Sequence, residues 1–419
     1  MKKEVREGYK MTELGEIPKE WKVKKLGDIA IGKGEYGIGA SATEYIEGKS
    51  RYLRITDIGD SCKLLFNDIK GLDDNNYEKY ILKEGDIVLA RTGNTTGKGY
   101  VYNKEDGELV YAGFLIKYSI NNNIAKHNFI KYIIQSKRYW NWVNIMSTRS
   151  GQPGINSTEY SNFIIQLPSL EEQEKIASIL STVDEEIDNV DALIEKNKEL
   201  KKGLMQTLLT KGIGHTKFKK TEIGEIPEEW KLKTFKDISK VSQGLQIAID
   251  ERYKEFKAGR LPYITIQYLN DKLNPDNEYF IENFSQNVVC KEDDILMTRT
   301  GNTGIVVTNE VGVFHNNFFK VDFRRDLFNK DFLVFFLNAK FIQSLIIRYA
   351  GTTTIPDLKH SDFYKLPIVI PLLEEQEKIA SILSEVDKKI EGYENKKKKL
   401  EELKKGLMQQ LLTGKMRVV

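Results

Sequence analysis

The sequence predicts an α+β chain: two strand-rich globular domains, related by a pseudo-twofold, with two long helices packed as an antiparallel coiled coil. Three observations predict it, namely an internal duplication, short β-type runs early in each copy, and a heptad pattern late in each copy. The chain has 419 residues, 40% hydrophobic and 30% charged. Such a composition is typical of globular proteins, and the length allows two to four domains.

The duplication is seen in three blocks that recur in the same order. Gly-Glu-Ile-Pro-x-Glu-Trp ends at Trp21 and again at Trp230, and Asp-Ile-x-x-x-Arg-Thr-Gly-Asn ends at Asn94 and again at Asn302. The segment Leu170–Thr210 returns without a gap as Leu373–Thr413, including all of LEEQEKIASILS. A fixed order at nearly constant spacing indicates tandem copies of about 200 residues each.

The first part of each copy alternates short apolar runs with Gly, Asn and Asp clusters, a pattern typical of strands joined by turns. Asp86–Ala90, Ile264–Ile266 and Ile305–Val307 are predicted strands. Asn128–Trp142 and Lys330–Tyr349 are predicted helices within these domains.

The last part of each copy is predicted to be one long helix. Ile176, Leu180, Val183, Ile187, Val190 and Ile194 form a seam with heptad spacing, and Ile379, Leu383, Val386, Ile390 and Tyr393 repeat it. About 40 residues would form about 60 Å of helix. Packing of each helix on its own domain is the alternative, but two matching helices favour an intramolecular coiled coil. The predicted domains are residues 1–168, a first helix at 169–212, residues 213–371, and a second helix with its tail at 372–419.

Composition and motifs argue against several classes of function. No apolar run is long enough to span a membrane, no secretory signal is recognisable, and Cys62 and Cys290 are far apart, so we expect a cytoplasmic protein without disulfides. A dinucleotide loop at Gly32–Gly37 and a phosphate loop at Gly93–Gly99 are disfavoured, because neither pattern recurs complete in the second copy. The four histidines match no metal or triad spacing. The sequence predicts no catalytic residue, no metal site and no cofactor.

Charge points instead to a polyanionic partner. The net charge is only +3, but Leu170–Thr210 carries 10 acids and 5 bases, and Leu373–Thr413 carries 9 of each. The helical segments therefore sum to −5 and the remainder to +8. Basic domains suit nucleic acid, whose phosphates attract Lys and Arg and whose base edges pair with Arg, Asn and Gln. The candidate DNA-binding residues are Arg51, Arg54, Arg91, Thr92, Asn94, Lys98, Arg149, Gln152, Gln243, Gln246, Arg260, Gln267, Arg299, Thr300, Asn302, Arg348, Thr352 and Thr353. The alternative for Arg-Thr-Gly-Asn is a plain turn that closes a strand.

Across its whole length the chain resembles the specificity subunit of type I restriction–modification systems, on the strength of the duplicated Gly-Glu-Ile-Pro-x-Glu-Trp and Glu-Glu-Gln-Glu-Lys-Ile segments. The resemblance implies a non-catalytic subunit with two target-recognition domains, each reading one half of a bipartite sequence in double-stranded DNA. It also implies that the helices act as a ruler and dock two methyltransferase subunits, with endonuclease subunits left open. Gly203, Gly392, Gly406 and Lys396–Lys399 depart from a regular seam. The predicted partner-binding residues are Glu171, Gln173, Ile176, Glu374, Gln376 and Ile379.

Two further expectations follow from the duplication. Residues identical in both copies cannot distinguish two half-sites, so Arg91, Arg299, Asn94 and Asn302 are expected to contact the DNA backbone. Specificity is expected where the copies differ, at Arg51, Arg54 and Gln152 in the first copy and Gln243, Gln246, Arg260, Gln267 and Thr352–Thr354 in the second. The rival hypotheses are a coiled-coil scaffold with protein-binding domains and an enzyme with hidden methyltransferase chemistry.

Overall fold

A computed structural model gives the architecture of residues 5–74, 76–148, 152–351 and 356–418. The chain divides into two compact units. Unit 1 comprises Met1–Asp191 and Asn395–Val419, and unit 2 comprises Ala192–Glu394. Each unit therefore contains one globular domain together with part of each long helix.

The globular domain of unit 1 combines short strands with short helices. Its strands are β1 (Tyr9–Thr12), β2 (Gly15–Pro18), β3 (Lys22–Lys25), β4 (Ala30–Tyr36), β5 (Ser41–Glu44), β6 (Arg51–Leu53), β7 (Lys70–Asp73), β8 (Asp86–Ala90), β9 (Gly99–Val101), β10 (Leu109–Tyr111), β11 (Leu115–Ile120) and β12 (Ile164–Leu167). Its helices are α1 (Leu26–Ile29), α2 (His127–Ile133), α3 (Lys137–Ser147) and α4 (Ser157–Ser161), followed by the long helix α5 (Leu170–Lys211).

The largest sheet of unit 1 has the antiparallel order β4-β11-β8-β9. Strands β1 and β2 form a hairpin, β12 pairs with β3, β5 with β7, and β10 runs parallel to β6. Every residue of β8 is buried, which explains why its sequence is a continuous apolar run rather than an alternating one. Helices α2 and α3 cover this sheet with Phe129, Ile130, Tyr139 and Val143.

The globular domain of unit 2 repeats this plan. Its strands are β13 (Phe218–Thr221), β14 (Gly224–Pro227), β15 (Lys231–Thr234), β16 (Ser239–Gln243), β17 (Leu261–Ile264), β18 (Phe280–Ile281), β19 (Val289–Cys290), β20 (Ile295–Thr298), β21 (Val306–Val307), β22 (Gly312–Phe314), β23 (Phe318–Phe323) and β24 (Pro367–Ile370). Its helices are α6 (Phe235–Ile238), α7 (Ile266–Asn270), α8 (Lys330–Asn338), α9 (Lys340–Ala350) and α10 (His360–Phe363), followed by the long helix α11 (Leu373–Leu411).

The sheets of unit 2 correspond to those of unit 1. The order β16-β23-β20-β21 matches β4-β11-β8-β9, and the pairs β13-β14 and β15-β24 match β1-β2 and β3-β12. A second sheet of order β18-β17-β22-β19 completes the domain, with β17 parallel to β22. The predicted fold class, two strand-rich domains with two long helices, is therefore confirmed.

Several predicted element boundaries were wrong. The predicted helix Asn128–Trp142 is two helices, because the side chain of Ser136 caps the start of α3 by accepting from the Tyr139 amide. The predicted helix Lys330–Tyr349 is also two helices, which meet at Ala339 with a bend of 65°. The predicted strand Ile264–Ile266 ends at Ile264, where Thr265 caps α7.

The long helices pair antiparallel within each unit. In unit 1, Glu186 of α5 bonds Lys396 of α11 at 2.6 Å, and Asp184 bonds Lys404 at 2.7 Å. In unit 2, Lys198 lies 3.8 Å from Glu394, and Lys201 lies 2.5 Å from Asp387. In both units the residue numbers rise along one helix as they fall along the other, as an antiparallel pair requires.

The first turns of each long helix also belong to a globular core, as the alternative interpretation of the seam held. Ile176 and Leu180 are fully buried in the unit 1 core, and Ile379 and Leu383 in the unit 2 core. The heptad seam thus serves two purposes in succession, because its first turns pack on the preceding domain and its later turns face the other helix.

Within the described ranges, no single helix is long and apolar enough to cross a membrane, although the bent pair α8 and α9 meets the criterion together by length and composition alone. Those two helices bury Phe332, Phe336, Ile342 and Ile346 in the core of unit 2. The same part of the chain contains no group of three or more His, Cys, Asp or Glu side chains that could hold a metal ion.

Candidate nucleic-acid interface

The Arg-Thr-Gly-Asn segment of unit 1 lies on a surface formed by four chain segments, which we name platform 1 (residues 36–38, 91–97, 112–114 and 152–155). The Arg91 amide donates to the Phe114 carbonyl at 3.0 Å, and the Arg91 carbonyl accepts from the Ile155 amide at 2.9 Å. The Gly93 amide donates to the Pro153 carbonyl at 3.0 Å. These backbone bonds place Arg91 and Asn94 beside the segment that contains Gln152.

Unit 2 builds the same surface from corresponding segments, named platform 2 (residues 243–245, 299–304, 315–317 and 356–358). The Arg299 amide donates to the Asn317 carbonyl at 2.8 Å, and its carbonyl accepts from the Leu358 amide at 2.8 Å. The Gly301 amide donates to the Pro356 carbonyl at 3.1 Å. The duplicated sequence therefore produces a duplicated arrangement of loops.

Two glycines allow the segments of each platform to approach closely. A Cβ atom on Gly37 would lie 2.3 Å from the carbonyl oxygens of Tyr111 and Ala112, and one on Gly244 would lie 2.3 Å from those of Phe314 and His315. Any larger residue would force the backbones apart. This contact accounts for Gly37 without any dinucleotide site.

Platform 1 brings together four of the eight residues predicted for the first copy, namely Arg91, Thr92, Asn94 and Gln152. The Arg91 guanidinium lies 4.8 Å from the ring centre of Tyr36, and Thr92 bridges to Gly154. Asn94 and Gln152 are exposed, with Gln152 next to Gly93. Lys98 sits at the end of the loop in an ion pair of 2.6 Å with exposed Asp60.

In platform 2 the corresponding arginine, Arg299, has an ion-pair partner. Arg299 donates from Nε and Nη2 to both carboxylate oxygens of Asp357, at 3.1 and 3.0 Å, and Thr300 donates to Oδ1 at 2.8 Å. The Arg299 guanidinium lowers the pKa of the Asp357 carboxyl, because it stabilises the charged form. Asn302 remains exposed. Arg299 is thus held inside unit 2, whereas the described residues contain no ion-pair partner for Arg91.

Exposed polar side chains also lie on platform 2 and beside it. Gln243, Gln246 and Gln267 are exposed, and the Gln246 side chain accepts from Asn316 at 2.9 Å. A pocket of about 300 Å³ is lined by Arg252, Thr265, Gln267, Tyr279, His315 and Asn317, among others. Burial is the main cause that lowers the pKa of His315, so this imidazole favours its neutral form.

Three arginines predicted to contact DNA bond residues of their own domains. Arg51 is 5% exposed, and its Nη2 donates to the Leu65 carbonyl. Arg54 pairs with Asp57 at 2.6 Å and Asp68 at 3.2 Å. Arg260 pairs with Glu282 at 3.1 Å and stacks on the Tyr253 ring at 3.4 Å. A guanidinium with internal partners would lose those bonds in order to reach a base, and the contact of these three arginines with DNA stays a prediction.

The remaining predicted residues lie at or beyond the edge of the described structure. Arg348 is exposed at the end of α9, 5.4 Å from the ring centre of Tyr349. Arg149, Thr352 and Thr353 lie outside the described residues, as do Ser150 and Thr354.

The predicted partner-binding residues divide by burial. Glu171 and Glu374 are exposed, with Glu171 paired to Lys175 at 2.9 Å. Ile176 and Ile379 are fully buried. Gln173 and Gln376 are also buried, where their side chains accept from the amides of Lys126 and Asn329 and donate to the carbonyls of Pro168 and Pro371. These four residues hold each helix on its domain and are not accessible to a partner in this structure.

The duplicated Gly-Glu-Ile-Pro-x-Glu-Trp and Glu-Glu-Gln segments form one joint. The indole of Trp21 donates to Glu172 at 3.0 Å, and that of Trp230 donates to Glu375 at 3.0 Å. A basic residue completes each joint, Arg417 bonding Glu172 at 2.7 Å and His215 bonding Glu375 at 2.8 Å. The contact between the two duplicated blocks therefore explains why both recur together in each copy.

Sequence reasoning missed Tyr36, Phe114, Asn317 and Asp357 as members of the platforms. Tyr36 ends strand β4 and Phe114 lies in the loop before β11, and no sequence spacing separates these aromatic residues from core residues. Asp357 lies 58 residues from the arginine that it binds. Aligning the two copies through Arg-Thr-Gly-Asn could have found only the neighbouring positions, since the other segments come together by strand register.

Both copies of the duplication match a known family of DNA specificity domains. The family model described as type I restriction modification DNA specificity domain matches residues 18–201 and again residues 227–402. In Methanocaldococcus jannaschii, the type I restriction enzyme MjaVIII specificity subunit is 26% identical, with coverage of 98% of this chain and 96% of the relative. The putative type I restriction enzyme MjaX specificity subunit of the same organism is 30% identical, with 98% and 97% coverage.

Solved structures share the fold. A chain from a structural study of assembly and conformational transition of the type I R-M system has a TM-score of 0.58 at 17% identity, covering 96% of this chain and 99% of that one. The type I restriction–modification S subunit from M. genitalium has a TM-score of 0.57 at 15% identity, with 93% and 96% coverage.

Proposed function

The chain belongs to the type I restriction modification DNA specificity family, and we propose that it reads a bipartite sequence in double-stranded DNA, one half-site with each globular domain. The observation that carries this proposal is the double match, since one DNA specificity domain model fits each copy of the duplication. The relatives are specificity subunits, so the chain directs the chemistry of other subunits instead of catalysing it. A scaffold with protein-binding domains is not favoured, because both matches are to DNA specificity domains.

In this proposal the two platforms face the DNA. Arg91 and Asn94 contact the backbone of one half-site and Gln152 reads its bases. Asn302 contacts the backbone of the other half-site, and Gln243, Gln246 and Gln267 read its bases. Arginine and amide side chains can bond base edges in the major groove, while threonines and lysines bond phosphates. The charge of +8 outside the long helices favours association with a polyanion and makes binding dependent on salt.

The long helices have two proposed tasks. They dock two methyltransferase subunits on the exposed faces of their repeated first turns, which include Glu171 and Glu374, and endonuclease subunits join in assemblies that also cleave. They also set the distance between the half-sites, expected near one turn of duplex, about 34–36 Å between centres. Support for both comes from the repeated helix starts and the antiparallel pairing within each unit.

Methylation mapping tests the function. The chain is expressed with its methyltransferase subunit in a host that lacks other DNA methylation, and modified bases are mapped across the genome. We expect a single motif made of two short defined parts and a spacer of fixed length. Methylation at an undivided motif would contradict the two-domain proposal. The Gln152→Ala variant is expected to relax one half-site only, and exposed Gln206→Ala on α5 is the matched control that should change neither.

A further inference from the structure

The backbone of the two platforms identifies which residues occupy equivalent positions, independently of sequence identity. Strand register places Tyr36 opposite Ile116 and Gln243 opposite Phe319. The carbonyls of Phe114 and Asn317 accept from the two arginine amides, and Gly154 and Asp357 bridge to Thr92 and Thr300. The matched pairs are Tyr36 with Gln243, Phe114 with Asn317, and Gly154 with Asp357.

Platform 1 is aromatic at these positions. Tyr36 is 43% exposed and Phe114 is 59% exposed. Both flank Arg91, Tyr36 through its ring and Phe114 through its backbone carbonyl. Two large exposed aromatic side chains on one surface leave apolar area that a partner can cover. Platform 1 therefore offers apolar contact to its half-site.

Platform 2 offers amide groups at the same positions. Gln243 is exposed, and none of the described residues hydrogen-bonds to the side-chain amide of Asn317. Asn317 lines the pocket that also contains Gln267 and His315. An amide with an unused donor and acceptor can make the paired hydrogen bonds that adenine presents at its major-groove edge.

The third pair decides whether the arginine that both copies share has a carboxylate partner at this position. The Asp357 carboxylate accepts from Nε and Nη2 of Arg299 in a bidentate ion pair, whereas Gly154 supplies no carboxylate to Arg91. Arg91 and Arg299 are identical in sequence but differ in availability. The prediction that both arginines contact the DNA backbone stays open, and the ion pair of Arg299 leaves Arg91 the more available of the two.

We propose that these three position-matched pairs determine the two half-sites, with Phe114 contacting a thymine methyl group in one half-site and Asn317 bonding an adenine in the other. The inference rests on the proposed function and adds the residues and the bases. The aromatic ring suits the C5-methyl of thymine, the one apolar group that a base pair exposes in the major groove. Asn317 suits adenine because its amide matches both the N6 donor and the N7 acceptor.

The first experiment tests Phe114 with the assembled methyltransferase complex. Uracil replaces each thymine of the mapped target in turn, which removes one methyl group, and affinity is measured. Wild-type binding should fall about 4-fold at one position of one half-site, and Phe114→Asn should abolish this difference. Phe66→Asn, which changes an exposed phenylalanine outside platform 1, is the matched control and should keep it. If no thymine in either half-site shows a Phe114-dependent effect, the assignment of Phe114 is wrong.

The second experiment tests Asn317 in the same complex. Asn317→Ala should lower affinity for the target by about 5- to 150-fold and lose discrimination at one adenine of the other half-site. Methylation mapping of this variant should show that position relaxed and the Phe114 half-site unchanged. Asn338→Ala, on the exposed side of α8, is the matched control. Unchanged discrimination by Asn317→Ala would overturn the assignment of Asn317.

The outcomes separate this inference from the function on which it rests. If the wild-type complex yields no bipartite motif, the proposed function has failed. If it yields one and both variants keep the wild-type motif, the function stands and the matched pairs do not determine it.

Discussion

The Glu172 and Glu375 carboxylates illustrate how single residues join a domain to a helix. Each accepts the indole hydrogen of a buried tryptophan and pairs with a basic side chain from the segment that follows a long helix. A buried indole without an acceptor is costly, because it has left water without replacing its hydrogen bond. The Glu-Glu-Gln block is therefore a structural joint, and its two neighbouring glutamates have different roles.

We expect Glu172→Ala to lower the free energy of unfolding by about 1–3 kcal/mol, since Trp21 and Arg417 would both lose their acceptor. Its neighbour Glu171→Ala should change stability by less than about 0.5 kcal/mol, because that glutamate is 78% exposed and pairs only with Lys175 on the surface. Urea titrations followed by tryptophan fluorescence measure both. Equal effects of the two variants would contradict the joint.

The ion pair of Asp357 should make the stability of unit 2 depend on pH. Arg299 lowers the Asp357 pKa below its ordinary value of 3.8. The ionised form of this carboxyl is therefore more stable in the folded state than in the unfolded state. The pair therefore stabilises the fold above that ordinary value and loses its effect as pH falls through the lower folded-state value. Asp357→Asn should be less stable than wild type at pH 7, with a difference that shrinks between about pH 5 and about pH 3. The midpoints of urea unfolding measure this stability difference. A difference that does not change with pH would contradict the role of the ion pair.

At the scale of elements, the helix pair of unit 1 contains a buried polar contact. In unit 1, Asp184 of α5 accepts from Tyr132 at 2.9 Å and from Lys404 of α11 at 2.7 Å, and it is only 7% exposed. In unit 2, Lys201 and Asp387 form the corresponding pair beside Phe335, but both side chains are partly exposed. The buried contact of unit 1 favours one register, because a shift along the helix would leave its charges buried and unpaired.

Replacing Asp184 should therefore lower the free energy of unfolding. Asp184→Ala leaves Lys404 and the Tyr132 hydroxyl without their common partner, and we expect a loss of roughly 3–5 kcal/mol. Asp188→Ala is the control on the same helix, since Asp188 makes an exposed pair with Lys63 and should cost less than about 1 kcal/mol. Thermal and urea unfolding give both values, and a loss below that of the control would rule out the register contact.

The ruler proposal also belongs to this scale. Deleting residues 185–191 of α5 together with 395–401 of α11 removes seven residues from each helix where they pair in unit 1, about 10 Å of length. The preferred spacer in the methylation motif should shorten by about three base pairs, the rise being 3.4 Å per pair, while both half-sites stay the same. Deleting 185–191 alone is the control, and it should destabilise the pair without giving a new defined spacer. An unchanged spacer in the double deletion would refute the ruler.

For the whole molecule, the segment after α11 completes unit 1. The Gly414 carbonyl accepts from the Tyr9 hydroxyl at 2.8 Å, Gln166 donates to the Leu412 carbonyl, and Arg417 reaches Glu172 and Glu20. The first and last parts of the described chain thus share one core, while the segment after α5 makes the matching joint in unit 2. The fold of unit 1 therefore depends on contacts between segments at opposite ends of the described chain.

Truncation after Thr413 should consequently weaken unit 1 and leave unit 2 unaffected. Loss of Gly414 and Arg417 exposes the Trp21 joint, so amides of β1, β2 and the first turns of α5 should exchange faster. Amides of β13, β14 and the first turns of α11 serve as the internal control and should keep their rates. Hydrogen exchange read by mass spectrometry resolves the two sets, and equal acceleration in both would contradict the assignment of the tail to unit 1.

By itself, the sequence determined the duplication, the strand-rich domains, the long helices and the loops that carry Arg91 and Arg299, because periodicity and repeated blocks are local properties of the chain. The element boundaries at Ala339 and Ile264 could not be predicted from the sequence, because caps and bends depend on neighbouring packing.

Tertiary structure alone decided which side chains are available. Arg51 and Gln173 were predicted to be binding residues but lie in the interior. Arg299 differs from Arg91 because the fold brings Asp357 beside it, where platform 1 has Gly154. The fold sets burial and pairing through contacts between residues far apart in sequence, and no local pattern contains those contacts.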